Sequence, residues 1–548
     1  MKKYPLNQVK YYNRFRDMLD DLVLGNDEKK AVSWFNRKGE EQGVTWGKFY
    51  SDIVSLQERL VDLGLAGKHI AILSENSYEW LLVYLSAVYC GAVAVCIDVE
   101  QSTETIKQML DMADVDCLFY VERYKDISLS YCGQSRPMYA MYANNEPSIY
   151  DLISEGGDLR ASGKINKDID ATVTPEATAS IVFTSGTMTY SKPVMLSQEA
   201  ILTNASDALA NVSIGEVAFT ALPFYHTYGL TCSVLSMLIG KAHLYINGNI
   251  KTVMRDIQLA NPHTMLTVPL MLETIHSNMW VAVNASGKAD KLKKLLNIRK
   301  FLLSVGIKKN FKVLDSLREK CFGSIRLIIC GGAHMSRNIM EEFFSLGVLV
   351  VQGYGITECS PLVSVNRNKM NKFDSVGLVS AHTEVKIEDG EILVRGKNIM
   401  KGYYNLPELT DEVLTDGWFR TGDIGELDKD GFLHITGRKK NLIVFRNGKK
   451  VSPEKLEAKI QKIPLVQDVV VYGAVSGIST DDVQVAASVF PNKEATEGMN
   501  SYEILEALQE QISLINEELP MYQQIRMINI REQEFSKTAL KKIKRYLV

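Results

Sequence analysis

From about Val44 onward the chain alternates helix-like stretches with short, almost continuously apolar runs. The runs His69 to Leu73, Ala92 to Ile97 and Cys117 to Tyr120 lack the polar-apolar alternation of a half-exposed strand, so they suit strands covered on both faces. Helical stretches such as Trp46 to Leu65 then serve as crossovers in a parallel sheet. The rhythm returns at Ser180 to Phe183, Val217 to Leu222, Ala242 to Ile246, Met265 to Val268, Ile325 to Cys330 and Val348 to Gln352. No fixed-length repeat accompanies it, which excludes a solenoid.

A chain of 548 residues is too long for one hydrophobic core, so more than one domain is expected. Between about Ser375 and Thr436 the pattern becomes all-β, with turns at Asp389-Gly390, Asp416-Gly417 and Asp428 to Gly431, which suggests a small barrel. After Gly437 a charged segment, RKKNLIVFRNGKK, precedes Pro453 and a fresh α+β pattern with an amphipathic helix near Ser501 to Leu519. The expected fold class is therefore α/β. It comprises a large N-terminal domain (1–437) of two doubly wound α/β subdomains plus a small β-barrel, and a small α+β C-terminal domain (438–548) joined by a hinge.

Sixty-two basic residues against 65 acidic ones leave a formal charge of -3, which argues against a nucleic-acid footprint spread over the molecule. The eight cysteines are scattered without CxxC or metal spacing, as expected of small hydrophobes in a reducing cytoplasm. The N-terminus turns polar and aromatic where a signal peptide needs a continuous apolar stretch. Trp80 to Ile97 carries no charge and is about long enough for a membrane span, but Gly91 divides it into a helical half and a β-branched half, which suits a buried helix leading into a parallel strand. Lys288 to Lys320 holds eleven basic residues against three acidic ones with leucines interleaved. A helix of that kind fits either a solvated face or weak contact with an anionic membrane surface, so the expected location is cytoplasmic or peripheral to a membrane.

Four stretches suggest nucleotide chemistry. In SIVFTSGTMTYSKPVMLSQ a buried strand runs into a loop carrying Thr184, Ser185, Gly186, Thr187 and Lys192. Its backbone N–H groups, hydroxyls and cation can hold a triphosphate, although the spacing is not that of a P-loop. In IICGGAHMS a strand ends at Gly331-Gly332, where backbone can approach a flat ring with no Cβ in the way. In VQGYGITECSPLVSVN, Gly353 and Gly355 flank Tyr354, whose ring can stack on a purine, and Thr357-Glu358 supplies a hydroxyl and a carboxylate. Glu358 is the candidate Mg²⁺ ligand, since a hard cation takes one or two carboxylates plus phosphate oxygens. In RTGDIGELDKDGFLHITGRKKN, Asp423 is suited to accept hydrogen bonds from ribose hydroxyls.

These motifs, in this order from about Val44 through Arg545, resemble the AMP-forming adenylating superfamily, and most of all the long-chain fatty acid:CoA ligases. The family loop reads roughly TSGTTGxPKGV; here Thr189 and Pro193 replace glycines and Ser191 replaces a proline. The resemblance implies ATP, Mg²⁺ and coenzyme A as reactants and cofactors, with activation of a medium- or long-chain fatty acid to acyl-AMP before thioester formation. It also implies that ALPFYHTYGL, with His226 and Gly229, walls the acyl channel and that Gly331, Gly332 and Ala333 border adenine. Arg438 then lies near the ribose and α-phosphate, Lys440 at the hinge, and Gly448 on a loop presented to the thiol channel after the small domain swings. Lys542, in EFSKTALKKIKRYLV, takes the place of the catalytic lysine, although Leu540 and Lys541 stand where relatives have Thr and Gly. Two other readings stay open: an acyl-AMP ligase that loads the phosphopantetheine of an acyl carrier protein, and a relative that binds nucleotide with weak turnover.

Overall fold

The computed structural model describes residues 4–142, 147–164, 173–184, 191–307, 309, 311–445, 449–475, 483–537 and 543–548. Two large sheets form the body. In the first, Val93–Cys96, His69–Leu73, Cys117–Tyr120 and Met138–Ala140 run parallel beside Thr178–Phe183, and Pro193–Ser197 returns antiparallel to it. In the second, Leu349–Gly355, Leu327–Cys330, Thr264–Thr267, Val217–Thr220, His243–Ile246 and Lys30–Phe35 run parallel in that order, with antiparallel strands at both edges.

The uncharged stretch from Trp80 divides as its composition predicts. Helix Tyr78–Tyr89, capped by the Ser77 hydroxyl, is buried on every face. The chain turns at Gly91 (φ +77°), a left-handed conformation that a Cβ would strain, and enters strand Val93–Cys96. No helix among the described residues is long and apolar enough to cross a membrane.

The β-rich stretch forms an antiparallel sheet of Thr383–Glu388, Glu391–Gly396, Trp418–Leu427, Leu414–Thr415 and Leu433–Arg438, centred on the long strand Trp418–Leu427. The three turns read from sequence place Asp389, Gly390, Asp416, Gly417 and Gly431 at positive φ, as tight turns require. The all-β expectation needs one correction: helix Pro407–Val413, with proline in its first turn, interrupts the stretch.

After Arg438 come a three-stranded sheet (Val466–Val475, Val483–Pro491, Ile525–Ile530) and helices Pro453–Ile460 and Ser501–Glu517, built round their own apolar cluster. The Asn500 and Glu503 side chains close a capping box on the second helix, which explains why it starts there. The basic stretch Lys288 to Lys320 is not one helix: Ala289–Ser304 and Lys312–Phe322 are separate, broken at Gly306 (φ +80°).

Candidate functional site

The carboxyl ends of strands from both large sheets meet at one cavity of about 1230 Å³, where ligands of open α/β sheets commonly bind. Thr184 follows Thr178–Phe183, Gly331, Gly332 and Ala333 follow Leu327–Cys330, and Gly353 to Gly355 close Leu349–Gly355; all line this cavity. Gly332 has a left-handed φ of +86°. A Cβ on Gly355 would lie 2.3 Å from the Pro361 carbonyl oxygen, so only glycine fits there.

The phosphate-loop candidate is pinned at its neck. The Thr184 N–H donates to the Lys192 carbonyl (3.0 Å) and the Lys192 N–H donates to the Thr184 hydroxyl (3.1 Å). Ser185, Gly186 and Thr187 lie outside the described residues, as do Gly448 and Lys542. Pro193, which replaces a family glycine, is the first residue of strand Pro193–Ser197, a strand position where proline is tolerated. Its carbonyl accepts from the Tyr404 N–H at 2.8 Å.

Thr357 and Glu358 occupy a single 3₁₀ turn on the cavity wall. Tyr403, which the sequence did not single out, links this turn to the phosphate loop. Its hydroxyl donates to Glu358 Oε1 at 2.8 Å, and Lys192 Nζ sits 4.7 Å from the centre of its ring. Burial and the neighbouring Glu358 carboxylate push the Tyr403 phenol well above its usual range, so it stays a donor. The signal for Tyr403 is weak because Tyr404 stands beside it; only the fold turns one ring inward and sends the other hydroxyl to Asp114.

Asp423 is buried on strand Trp418–Leu427, directly opposite Arg438 in the ladder. Arg438 Nε donates to Oδ1 at 2.7 Å and the Tyr354 hydroxyl donates to Oδ2 at 2.6 Å. The two contacts orient the Asp423 carboxylate, a group that accepts hydrogen bonds at both oxygens and so suits a diol. Tyr354 is thus tied to Asp423 through its hydroxyl while its residue lines the cavity. Lys440 follows in a 3₁₀ turn at the cavity edge, and burial together with the Arg438 charge lowers its ammonium pKa.

His226 is buried and faces the same cavity. It precedes a π-helical stretch, Tyr228–Leu235, and such widened turns recur at functional sites. Gly229 is required by close packing, since a Cβ would fall 2.0 Å from the Pro223 carbonyl oxygen. Tyr228 donates to the Thr267 and Ile329 carbonyls at 3.2 and 3.0 Å, which fixes its ring against Gly331. Away from these polar groups the cavity wall turns apolar, with Leu209, Val212, Ile214, Met237, Leu266 and Val376.

The C-terminal tail reaches the same cavity. Ile543, Lys544 and Arg545, which flank Lys542 in sequence, line it together with Glu454, Glu457 and Gln461. The tail is tethered on both sides: Lys537 Nζ pairs with Asp468 at 2.9 Å, and Arg545 pairs with Glu457 and donates to the Val471 carbonyl at 3.3 Å. Among the described residues no group of three or more His, Cys, Asp or Glu side chains is placed to hold a metal.

Comparison with known proteins bears on this arrangement. The model of the AMP-binding enzyme family matches residues 21–404, and that of the AMP-binding enzyme C-terminal domain matches residues 440–548. The chain is 28% identical over 542 residues to probable acyl-activating enzyme 16, chloroplastic, of Arabidopsis thaliana, covering 83% of this chain and 73% of that protein. It is 27% identical over 452 residues to the long-chain-fatty-acid–CoA ligase FadD15 of Mycobacterium bovis, covering 78% and 75% respectively. Among solved structures, the anthranilate CoA ligase AuaEII in complex with anthranoyl-AMP is similar with a TM-score of 0.76 over 98% of this chain and 96% of that one, at 18% identity, a likeness of fold. A large α/β body with a small C-terminal domain, a cavity at the ends of its strands, and two family models that together span most of its length place this chain in the AMP-binding enzyme family of adenylate-forming enzymes.

Proposed function

We propose that this protein is an ATP-dependent acid:thiol ligase that converts a medium- or long-chain fatty acid to its acyl-adenylate, releasing pyrophosphate, and then transfers the acyl group to coenzyme A. One observation carries the reading: the cavity that holds Thr184, Lys192, Glu358, Asp423 and Arg438 is continuous with an apolar wall of Leu209, Val212, Ile214 and Met237. A nucleotide and an aliphatic tail thus fit one space. The relatives named as long-chain fatty acid:CoA ligases support the acid class. A steady-state assay of pyrophosphate release across acids of graded length tests it; no acid above background overturns it.

In this reading Asp423, oriented by Tyr354 and Arg438, accepts from the ribose hydroxyls, and Gly331 to Ala333 border the base. Thr184, Ser185, Gly186, Thr187 and Lys192 hold the phosphates, and Lys542 from the tail carries charge that builds on oxygen as the carboxylate attacks the α-phosphorus. Catalysis is then positioning plus charge stabilisation. The chemistry of the donor set fits Mg²⁺: Glu358 and the Thr357 hydroxyl offer hard oxygen ligands, one carboxylate with phosphate oxygens being the usual arrangement. Bound there, the ion would neutralise phosphate charge. The domain boundary falls between Gly437 and Arg438, Lys440 serves as the hinge, and rotation would bring Gly448 toward the thiol channel.

Two variants probe this map. Tyr403→Phe removes the donor to Glu358 Oε1 and leaves the ring beneath Lys192. Adenylation is expected to slow about tenfold, a hydrogen bond to a charged group contributing roughly 1.5–3 kcal/mol. An unchanged rate counts against the link. Ile214→Trp adds bulk to a half-buried wall position. Its kcat/KM for long acids should fall about ten-fold relative to short ones, and equal loss for all lengths contradicts the placement of the tail.

Acyl transfer to a carrier protein's phosphopantetheine in place of coenzyme A is separated by offering the adenylated enzyme both thiols and identifying the product.

A further inference from the structure

Helix Ala289–Ser304 has two apolar faces, and the core uses only one. Leu292 and Leu296 are buried in the cluster beside the second sheet, with Leu295 packed against it. Ile298, Phe301 and Val305 recur at three- and four-residue spacing on a different face and are half or more exposed, between 50% and 66%. Ile307, just beyond the helix, is 51% exposed. The same stripe continues toward the helix N-terminus as Lys294 and Lys291, both exposed. Neither lysine forms an ion pair among the described residues, whereas Lys300 pairs with Glu341 and Arg299 with Asp315. One line along the surface is therefore cationic at one end and apolar at the other.

Exposing a phenylalanine and three β-branched aliphatic side chains together is costly in water, and nothing among the described residues covers them. A nucleic acid supplies phosphates for the lysines but no apolar phase for Phe301 and Val305. An anionic bilayer supplies both, with headgroup charge at the level of lysine ammonium groups and an acyl boundary a few ångströms deeper. We infer that the stripe Lys291, Lys294, Ile298, Phe301 and Val305 is a docking surface for an anionic phospholipid bilayer. The inference rests on this surface alone and does not depend on which acid the enzyme activates.

The test is co-sedimentation of the full-length protein with vesicles of phosphatidylcholine alone and of phosphatidylcholine mixed with phosphatidylglycerol. Binding is expected to the mixed vesicles and to be weak on the neutral ones. Lys291→Gln with Lys294→Gln should weaken it by about thirty-fold, at roughly 1 kcal/mol for each lysine near the surface. Phe301→Asp should weaken it by about ten-fold or more at unchanged lysine content. In a Phe301→Trp variant, added vesicles should blue-shift the emission, and phospholipids brominated in the acyl chain should quench it. Absence of binding to mixed vesicles overturns the proposal, as does binding that Phe301→Asp leaves intact, or adsorption to vesicles and heparin alike without quenching. All three substituted positions are exposed, and an unchanged melting temperature for each variant shows that lost binding is not lost folding. Pyrophosphate release in vesicle-free solution provides a separate reading of the active site.

Discussion

Lys542→Ala is expected to lower acyl-adenylate formation by about a hundred- to thousand-fold while leaving the transfer of acyl from supplied acyl-AMP to coenzyme A nearly intact. The asymmetry follows from when charge develops. In the first half-reaction the carboxylate oxygen bonds to the α-phosphorus and the bond to pyrophosphate breaks, so negative charge moves on oxygens that Lys542, in its proposed role, would stabilise. In the second, a thiolate attacks a carbonyl and AMP leaves, and under the proposed rotation about Lys440 the tail lysine would be withdrawn and contribute little. Ile543, Lys544 and Arg545 line the cavity, and the ion pairs Lys537–Asp468 and Arg545–Glu457 tie the described ends of the tail to the C-terminal domain. Single-turnover formation of acyl-AMP, measured beside thioester formation from synthetic acyl-AMP, checks it. Equal loss in both halves would contradict the role given to Lys542.

The second large effect is expected at Glu358. Glu358→Gln keeps the oxygen that accepts from Tyr403 and the shape of the 3₁₀ turn, but removes the formal charge. If Glu358 holds Mg²⁺, adenylation should fall by about a hundredfold or more, and the Mg²⁺ concentration for half-maximal rate should rise. A variant that loses rate with an unchanged Mg²⁺ dependence would assign Glu358 to positioning Tyr403. A melting temperature close to that of the parent excludes unfolding as the cause.

The parallel-sheet rhythm was legible because strands covered on both faces must be apolar throughout, and His69–Leu73 and Cys117–Tyr120 match their predicted limits. Other boundaries shifted by one to three residues, as at Leu349–Gly355, where Tyr354 and Gly355 continue the strand by pairing with the antiparallel strand Leu362–Val365. Helix Pro407–Val413 was hidden because its neighbours read as turns and strands and none of its residues is buried. The break at Gly306 was hidden for a related reason: lysine-rich helix and lysine-rich loop have the same composition.

At the site, residues within one motif were legible and bridges between motifs were not. Asp423 and Arg438 were read separately, and the ladder between Trp418–Leu427 and Leu433–Arg438 makes them partners. Tyr354 was read as a stacking ring; its bond to Asp423 adds a second task, holding the acceptor in place. Tyr403 went unnoticed because what matters about it is its position between Lys192 and Glu358, far away in sequence.

Exchange of labelled pyrophosphate into ATP tests the central claim most directly, because it reports reversible acyl-adenylate formation without any thiol. With Mg²⁺ and a fatty acid present, label should enter ATP, and the incorporation should vanish when the acid or the Mg²⁺ is withheld. Label entering at the same low rate with and without every acid in a series from short to long chain would contradict the account.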